Sequence, residues 1–433
     1  MESALLFLLG VVVIVVGLAV SIGLHELGHL SFAKLFGVKV TQYFVGFGRT
    51  IWSRKKGETE WGFKWIPLGG YIAMTGMFPP APAGRSGKRT WVQRLVDSAR
   101  QSSAETVQPG EEGRTFSSKA PWQRIIIMLG GPVANLLIAV VLIFVIGVGI
   151  GVPSASTTLA SVAECLKPAS ASTSATCSSG DPAAPAAVAG LRAGDRIVSV
   201  DGAPITSWDQ LSTLIQGAPG KALSVTVDRA GQNIPLTVTP ELSQKQVADA
   251  SGHLTTIEAG VIGISPGEMY VRQSPVTVLP MTGRALQQIT GVVLDLPSRM
   301  VQVWNAAFSS APRDPNGPVG LIGVGRFAGD TAANTALPVL DRLSWLLNIL
   351  ATLNLSLFVF NLIPLLPLDG GHVLGALWEW VKRGFFAVFR RGAKAKPVDM
   401  AKLMPLTAVV VTVLIAMELL LAYADLVKPV TAG

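Results

Sequence analysis

Four long apolar runs divide the chain. The first carries no charge from Ala4 to Leu24 and stays mostly apolar to Phe36; the second follows Arg124, from Ile125 to Val152; the third runs from Leu343 to Leu368; the fourth runs from Met404 to Ala424 with Glu418 inside it. Each reaches the roughly 20 residues that a helix needs to cross a hydrocarbon core of about 30 Å. The pattern therefore predicts four transmembrane helices. The expected division is a first span over 1–36, a loop with a membrane-associated, hairpin-like segment over 37–120, a second span over 121–152, a folded insert over 153–268, an amphipathic linker over 269–342, a third span over 343–372, a basic loop over 373–402 and a fourth span over 403–425.

Inside the insert the period changes. The run Ala189-Gly190-Leu191-Arg192-Ala193-Gly194-Asp195-Arg196-Ile197-Val198-Ser199-Val200-Asp201-Gly202 gives a glycine-bearing turn, a short strand and an Asp-Gly turn. A helix should follow, with Ser207 as N-cap, Gln210 completing a capping box, and Leu211, Leu214 and Ile215 on one face. Leu223 to Arg229 alternates as a strand, Ala230-Gly231 turns, and Ile234 to Val238 alternates again. This order resembles a circularly permuted bacterial PDZ domain, a module that takes extended peptide ends by strand addition. The fold class expected for the whole chain is a polytopic α-helical membrane protein with an inserted, extracytoplasmic, PDZ-like α+β domain. Farther on, Ile289, Val292, Val293, Leu296, Met300, Val301 and Trp304 recur at helical spacing, as in a helix lying on a membrane surface or packed on a neighbour.

Composition agrees: of 433 residues, 49% are apolar and only 14% charged, too greasy for an ordinary soluble protein. The net charge of +8 gathers in two loops, one with Arg54, Lys55, Lys56, Lys88, Arg89 and Arg94, the other with Arg390, Arg391, Lys394 and Lys396. Basic loops stay on the cytoplasmic side. That orientation puts Pro153 to Asp341 and both termini outside a plasma membrane, and the charge gives no reason to invoke nucleic acid. The first run lacks a basic leader and a small-residue cleavage site, so a cleaved signal peptide is not expected. Both cysteines, Cys165 and Cys177, fall in the outward region, where they can pair.

Candidate chemistry lies inside the spans. His25-Glu26-Leu27-Gly28-His29 occurs within the first run; on a helix the two histidines share a face and can reach one zinc ion, with Glu26 beside the attacking water as general base. Ionisable residues in a bilayer are functional candidates by default. The third run ends in Asn361-Leu362-Ile363-Pro364-Leu365-Leu366-Pro367-Leu368-Asp369-Gly370-Gly371-His372, where two prolines and two glycines break the helix. An aspartate in that break supplies a third ligand. Asp369 would sit at the same end of its span as His29, whereas Glu418 belongs to the opposite half of the fourth; His372 is expected to support the site or to lie at the interface, and Glu418 to snorkel or to pair helices, with no part in the chemistry.

These pieces, together with Gly130-Gly131-Pro132-Val133-Ala134-Asn135 and Pro67-Leu68-Gly69-Gly70-Tyr71, come in the order found in site-2 proteases. The chain resembles their regulator-of-sigma-E branch and its actinobacterial relatives. One departure is the spacing of Pro364 and Pro367, three apart where many members have two. The resemblance implies one catalytic zinc ion held by His25, His29 and Asp369, Glu26 as base, and Asn361 holding substrate or the developing oxyanion. It also implies single-span membrane substrates such as anti-sigma factors or signal-peptide remnants, and a loop over Glu60 to Tyr71 offering a strand edge to them. Two other classes fit parts of the pattern: a catalytically silent receptor working through its PDZ-like domain, and a metal transporter using the intramembrane His and Asp as a path.

Overall fold

A computed structural model describes residues 2–79, 90–166, 177, 181–248, 254–315, 317–389 and 398–430. Lys88, Arg89, Asn316, Arg390, Arg391, Lys394 and Lys396 lie outside the described residues. The chain forms two compact units, one of residues 1–150 and 274–433, the other of residues 151–273.

The first unit opens with α1 (Glu2–Leu35), closed by Lys34 in its last turn and by Gly37 at φ +70°. Strands β1 (Val40–Lys56) and β2 (Thr59–Met74) follow, joined through Gly57. Gly46 and Gly48 hold positive φ and bend β1, so that its first half pairs with both halves of β2: Tyr43 faces Ile72 and also Trp61. The second half, from Thr50 to Lys56, is exposed. Next come α2 (Trp91–Glu105), capped reciprocally by Thr90 and Gln93, and α3 (Pro121–Phe144), whose Pro121 takes the first helical position and whose helical course continues to Ile150.

The second unit is a sheet folded on a small core. It contains β3 (Val152–Val162), α4 (Pro185–Val188), β4 (Arg196–Val200), β5 (Ala203–Pro204), α5 (Trp208–Gln216), β6 (Leu223–Arg229), β7 (Gln232–Val238), β8 (Glu241–Ala248), β9 (Leu254–Val261) and β10 (Ile264–Val271). The sheet order is β10-β3-β4-β6-β7, with β5 on β4, and β8–β9 form a separate hairpin. Leu159, Ile197, Leu211, Val225, Val227 and Val238 are its buried centre. Ser207 caps α5 by accepting from Gln210 N–H, while the Gln210 side chain reaches Thr206 N–H. Ala230 and Gly231, both at positive φ, make the tight turn between β6 and β7. Cys165 and Cys177 form a disulfide.

The first unit resumes with α6 (Val278–Leu294), α7 (Leu296–Phe308), α8 (Leu321–Ala333), α9 (Val339–Asn361), α10 (Asp369–Phe389) and α11 (Met404–Val427). The amphipathic stretch expected over Ile289 to Trp304 is split at Asp295, because Pro297 opens a new helix. The third apolar run divides likewise: α9 stops at Asn361, turns fill 362–368, and α10 begins on Asp369 and extends through part of the stretch expected as a basic loop. Gly375, Ala376 and Glu379 give α10 its buried face. Among the described residues four helices are long and apolar enough to cross a membrane: Glu2–Leu35, Pro121–Ile150, Val339–Asn361 and Met400–Val427. Glu418 and Asp425 of α11 accept backbone N–H groups at the start of α8, and Arg313 lies 2.7 Å from Asp425. Glu418 thus joins two helices. α3 packs against α1, α9 and α10.

Candidate metal centre

His25 and His29 stand one turn apart on α1, and backbone meets backbone where α1 crosses α3. A Cβ on Gly28 would strike the carbonyl of Gly130, and one on Gly130 would strike that of Gly28. Gly131 is crowded too: a methyl there would occupy the space of the His25 and His29 Nε2 atoms. Small residues at the crossing let the helices approach closely enough to share one site.

The break after α9 brings Asp369 to the same point. Gly370 and Gly371 permit the tight return, since a Cβ on either would fall against the backbone of 362–366. Asp369 Oδ2 lies 3.3 Å from His25 Nε2 and 3.3 Å from His29 Nε2, and the two Nε2 atoms are 3.1 Å apart. Four ligands at about 2.0–2.1 Å around a tetrahedral ion are roughly 3.3–3.4 Å from one another. The triangle matches that spacing, and Oδ2 is buried with no hydrogen-bond partner, as a ligand oxygen would be. No other set of three such side chains converges among the described residues.

The far side of each imidazole is also held. His29 Nδ1 donates to the carbonyl of Ile127, 2.8 Å away on α3, which leaves Nε2 free as a ligand. His25 Nδ1 lies 3.1 Å from the amide of fully buried Asn135, also on α3. A His25 that binds metal through Nε2 carries its proton on Nδ1 and must donate. Turning the Asn135 amide so that Oδ1 faces Nδ1 meets that need and gives a partner to an oxygen otherwise without one. Asn135 appears in the sequence only within the Gly130 to Asn135 run; an amide one turn beyond Gly131 in an apolar helix was the signal for its role.

Glu26 is half-buried on the same turn of α1 and faces β2: a Cβ on Gly70 would sit 3.1 Å from its Cγ. Asn361 ends α9, half-buried, and its amide makes no hydrogen bond among the described residues. His372, one turn into α10, lies between the rings of Phe78 and Phe116, with centroids 6.5 and 6.1 Å away. The centre thus offers two imidazoles and a carboxylate to one ion with a second carboxylate beside them, a donor set suited to metal-assisted hydrolysis.

Comparison with known proteins agrees with this chemistry. Residues 13–395 match the model of peptidase family M50. The chain is 32% identical over 435 residues to zinc metalloprotease Rip1 of Mycobacterium tuberculosis, covering 98% of this chain and 99% of that protein. Rip1 of Mycolicibacterium smegmatis is 30% identical over 456 residues, 99% of each chain, and metalloprotease MmpA of Caulobacter vibrioides is 28% identical over 397 residues, 89% and 90% of the two chains. The family match across most of the length and the near end-to-end likeness to the Rip1 proteins place the chain in peptidase family M50, the site-2 proteases, as a zinc-dependent metalloprotease.

Proposed function

We propose that the protein is an intramembrane endopeptidase that cuts peptide bonds inside the transmembrane helices of single-span proteins, anti-sigma factors or signal-peptide remnants among them, with one zinc ion held by His25, His29 and Asp369. The observation that carries this reading is the meeting of the three donor atoms at 3.1–3.3 Å, with both histidines on a helix long and apolar enough to cross a bilayer. Zinc, when bound, acidifies a water and polarises the scissile carbonyl. Glu26 takes the proton from the attacking water and passes it to the leaving amine. Asn361, at the break below α9, steadies substrate or the oxyanion.

A helical peptide bond is shielded by its own hydrogen-bond ladder, so the substrate must be drawn out into an extended strand before attack. The stretch Gly70 to Ile72 of β2 passes Glu26 at Gly70 and can pair with such a strand. Trp61 to Phe63 pair with β1 on both sides, which leaves Gly70 to Ile72 as the free edge, and replacing residues 69–72 with a sequence unable to pair should block cleavage while zinc stays bound. In the second unit, an open groove of about 240 Å³ between α5 (Trp208, Ser212, Ile215) and the segment Gly260 to Ile264 supports the PDZ-like reading, with a peptide end of a substrate or partner as its ligand. The charge bias of the loops puts that unit outside the plasma membrane and the metal centre near the cytoplasmic side.

The test pairs zinc content with cleavage of a single-span reporter for wild type, Glu26→Gln and Asp369→Ala. Cleavage should vanish in both variants, with zinc kept in the first and lost in the second. Cleavage that survives Glu26→Gln would overturn the catalytic reading and favour a receptor working through the PDZ-like unit.

A further inference from the structure

A second cluster of buried charge shares α10 with the metal-ligand triad and has no part in the chemistry above. Glu379 of α10 is fully buried; its carboxylate lies 2.6 Å from Arg124 Nη2 on α3 and 2.6 Å from Arg383 Nη2 one turn along its own helix, and it accepts the Val398 N–H at 3.0 Å. Arg124 is itself buried. The next residue after Val398, Asp399, pairs with the buried Arg100 of α2. Removing such charges from water costs several kcal/mol per ion, and well-packed apolar residues serve stability as well or better. The use best attested for a buried ion pair is to fix register between elements.

Register is what the metal centre requires here. α3 carries the contacts that hold the far side of the imidazoles, Ile127 O on His29 and Asn135 on His25, and sets the bare face of Gly131 against both. Asp369 comes from α10 instead, and the turns over 362–368 interrupt the helical ladder that would otherwise fix α10 to α9. Arg124 lies one turn before Ile127 on α3, and Glu379 lies on the buried face of α10 that begins at Asp369. A slip of one helical turn would move Asp369 by about 5.4 Å, against a tolerance in ligand distance of about 0.2 Å.

We propose that Arg124 and Glu379 are positioning residues: their ion pair sets α10 in register on α3 and so holds Asp369 at ligand distance from the two histidines that α3 orients. This rests on the metal reading of His25, His29 and Asp369, and a metal-binding readout separates failure of one from failure of the other. The experiment loads full-length protein in detergent with Co²⁺ and records its dissociation constant and visible absorption bands for wild type and for the double variant Arg124→Met/Glu379→Met, in which neither charge is left alone.

The double variant should melt no lower than wild type, yet bind cobalt at least tenfold more weakly with altered bands. Should it fail to fold, Arg124→Lys keeps the charge without the planar fork and should weaken binding several-fold. Wild-type affinity and bands in the folded double variant, or in Arg124→Lys where that is the variant used, would overturn the proposal. A wild-type protein that takes up no cobalt would overturn the metal reading and the register role with it.

Discussion

Asn135 of α3 is fully buried with its amide 3.1 Å from His25 Nδ1, on the side of the ring away from Asp369. The amide fixes both the tautomer and the rotation of the imidazole, and an alanine there would leave Nδ1–H buried without an acceptor. Asn135→Ala should therefore weaken zinc binding by about 10–100-fold. Competition against a chromophoric chelator measures it, and unchanged affinity would remove Asn135 from the site.

Gly131 gives a sharper steric test. A methyl group there would enter the space of the His25 and His29 Nε2 atoms, so Gly131→Ala should abolish zinc binding and cleavage. A methyl on Gly149, near the other end of the same span, would meet nothing within 4 Å, and Gly149→Ala should keep both. Equal zinc content in the two purified variants would contradict the close crossing of α1 and α3.

The three side chains that converge, His25, His29 and Asp369, were legible in the sequence because their signals are local. Histidines four apart on an apolar helix share a face whatever surrounds them, and Pro364, Pro367, Gly370 and Gly371 announce a break around Asp369. Four long apolar helices were readable by length, though the third stops at Asn361 short of the expected His372, and the β6–β7 hairpin was readable by its alternation about Ala230-Gly231. What escaped depends on tertiary neighbours. Arg124 and Glu379 stand far apart in sequence and look like ordinary flanking charges until α10 packs on α3. The Ser, Thr and Ala of β3 make too weak an alternation to mark a strand, yet β10 and β4 pair with it. α2 is mostly polar and owes its place to a cap and to Arg100.

Asp195 in the second unit carries a pH-dependent share of stability. Arg229 hydrogen-bonds its carboxylate at 2.7 Å and holds it below the usual carboxylate range; the Arg192 N–H adds to this against the cost of burial. A depressed folded-state value means that the stabilisation is present above the unfolded-state pKa of about 3.9 and fades as pH falls through the lower folded value. Asp195→Asn should cost roughly 2 kcal/mol at pH 7, with the gap to wild type closing in strong acid. Denaturant titration of the second unit's transition at several pH values measures it; a gap independent of pH would refute the assignment.

The disulfide tests orientation. If the second unit lies outside the plasma membrane, Cys165 and Cys177 should be oxidised in intact cells and, after reduction, accept a membrane-impermeant maleimide. Thiols that only a permeant reagent reaches would reverse the topology. Opening the loop with Cys165→Ser should cost about 2–4 kcal/mol.

Zinc K-edge X-ray absorption on the purified full-length enzyme tests the central claim most directly. The expected spectrum has two imidazole nitrogens at about 2.0–2.1 Å with the remaining ligands oxygen at about 2.0–2.2 Å. Sulfur in the first coordination sphere, or fewer than two imidazoles, would contradict a centre built from His25, His29 and Asp369.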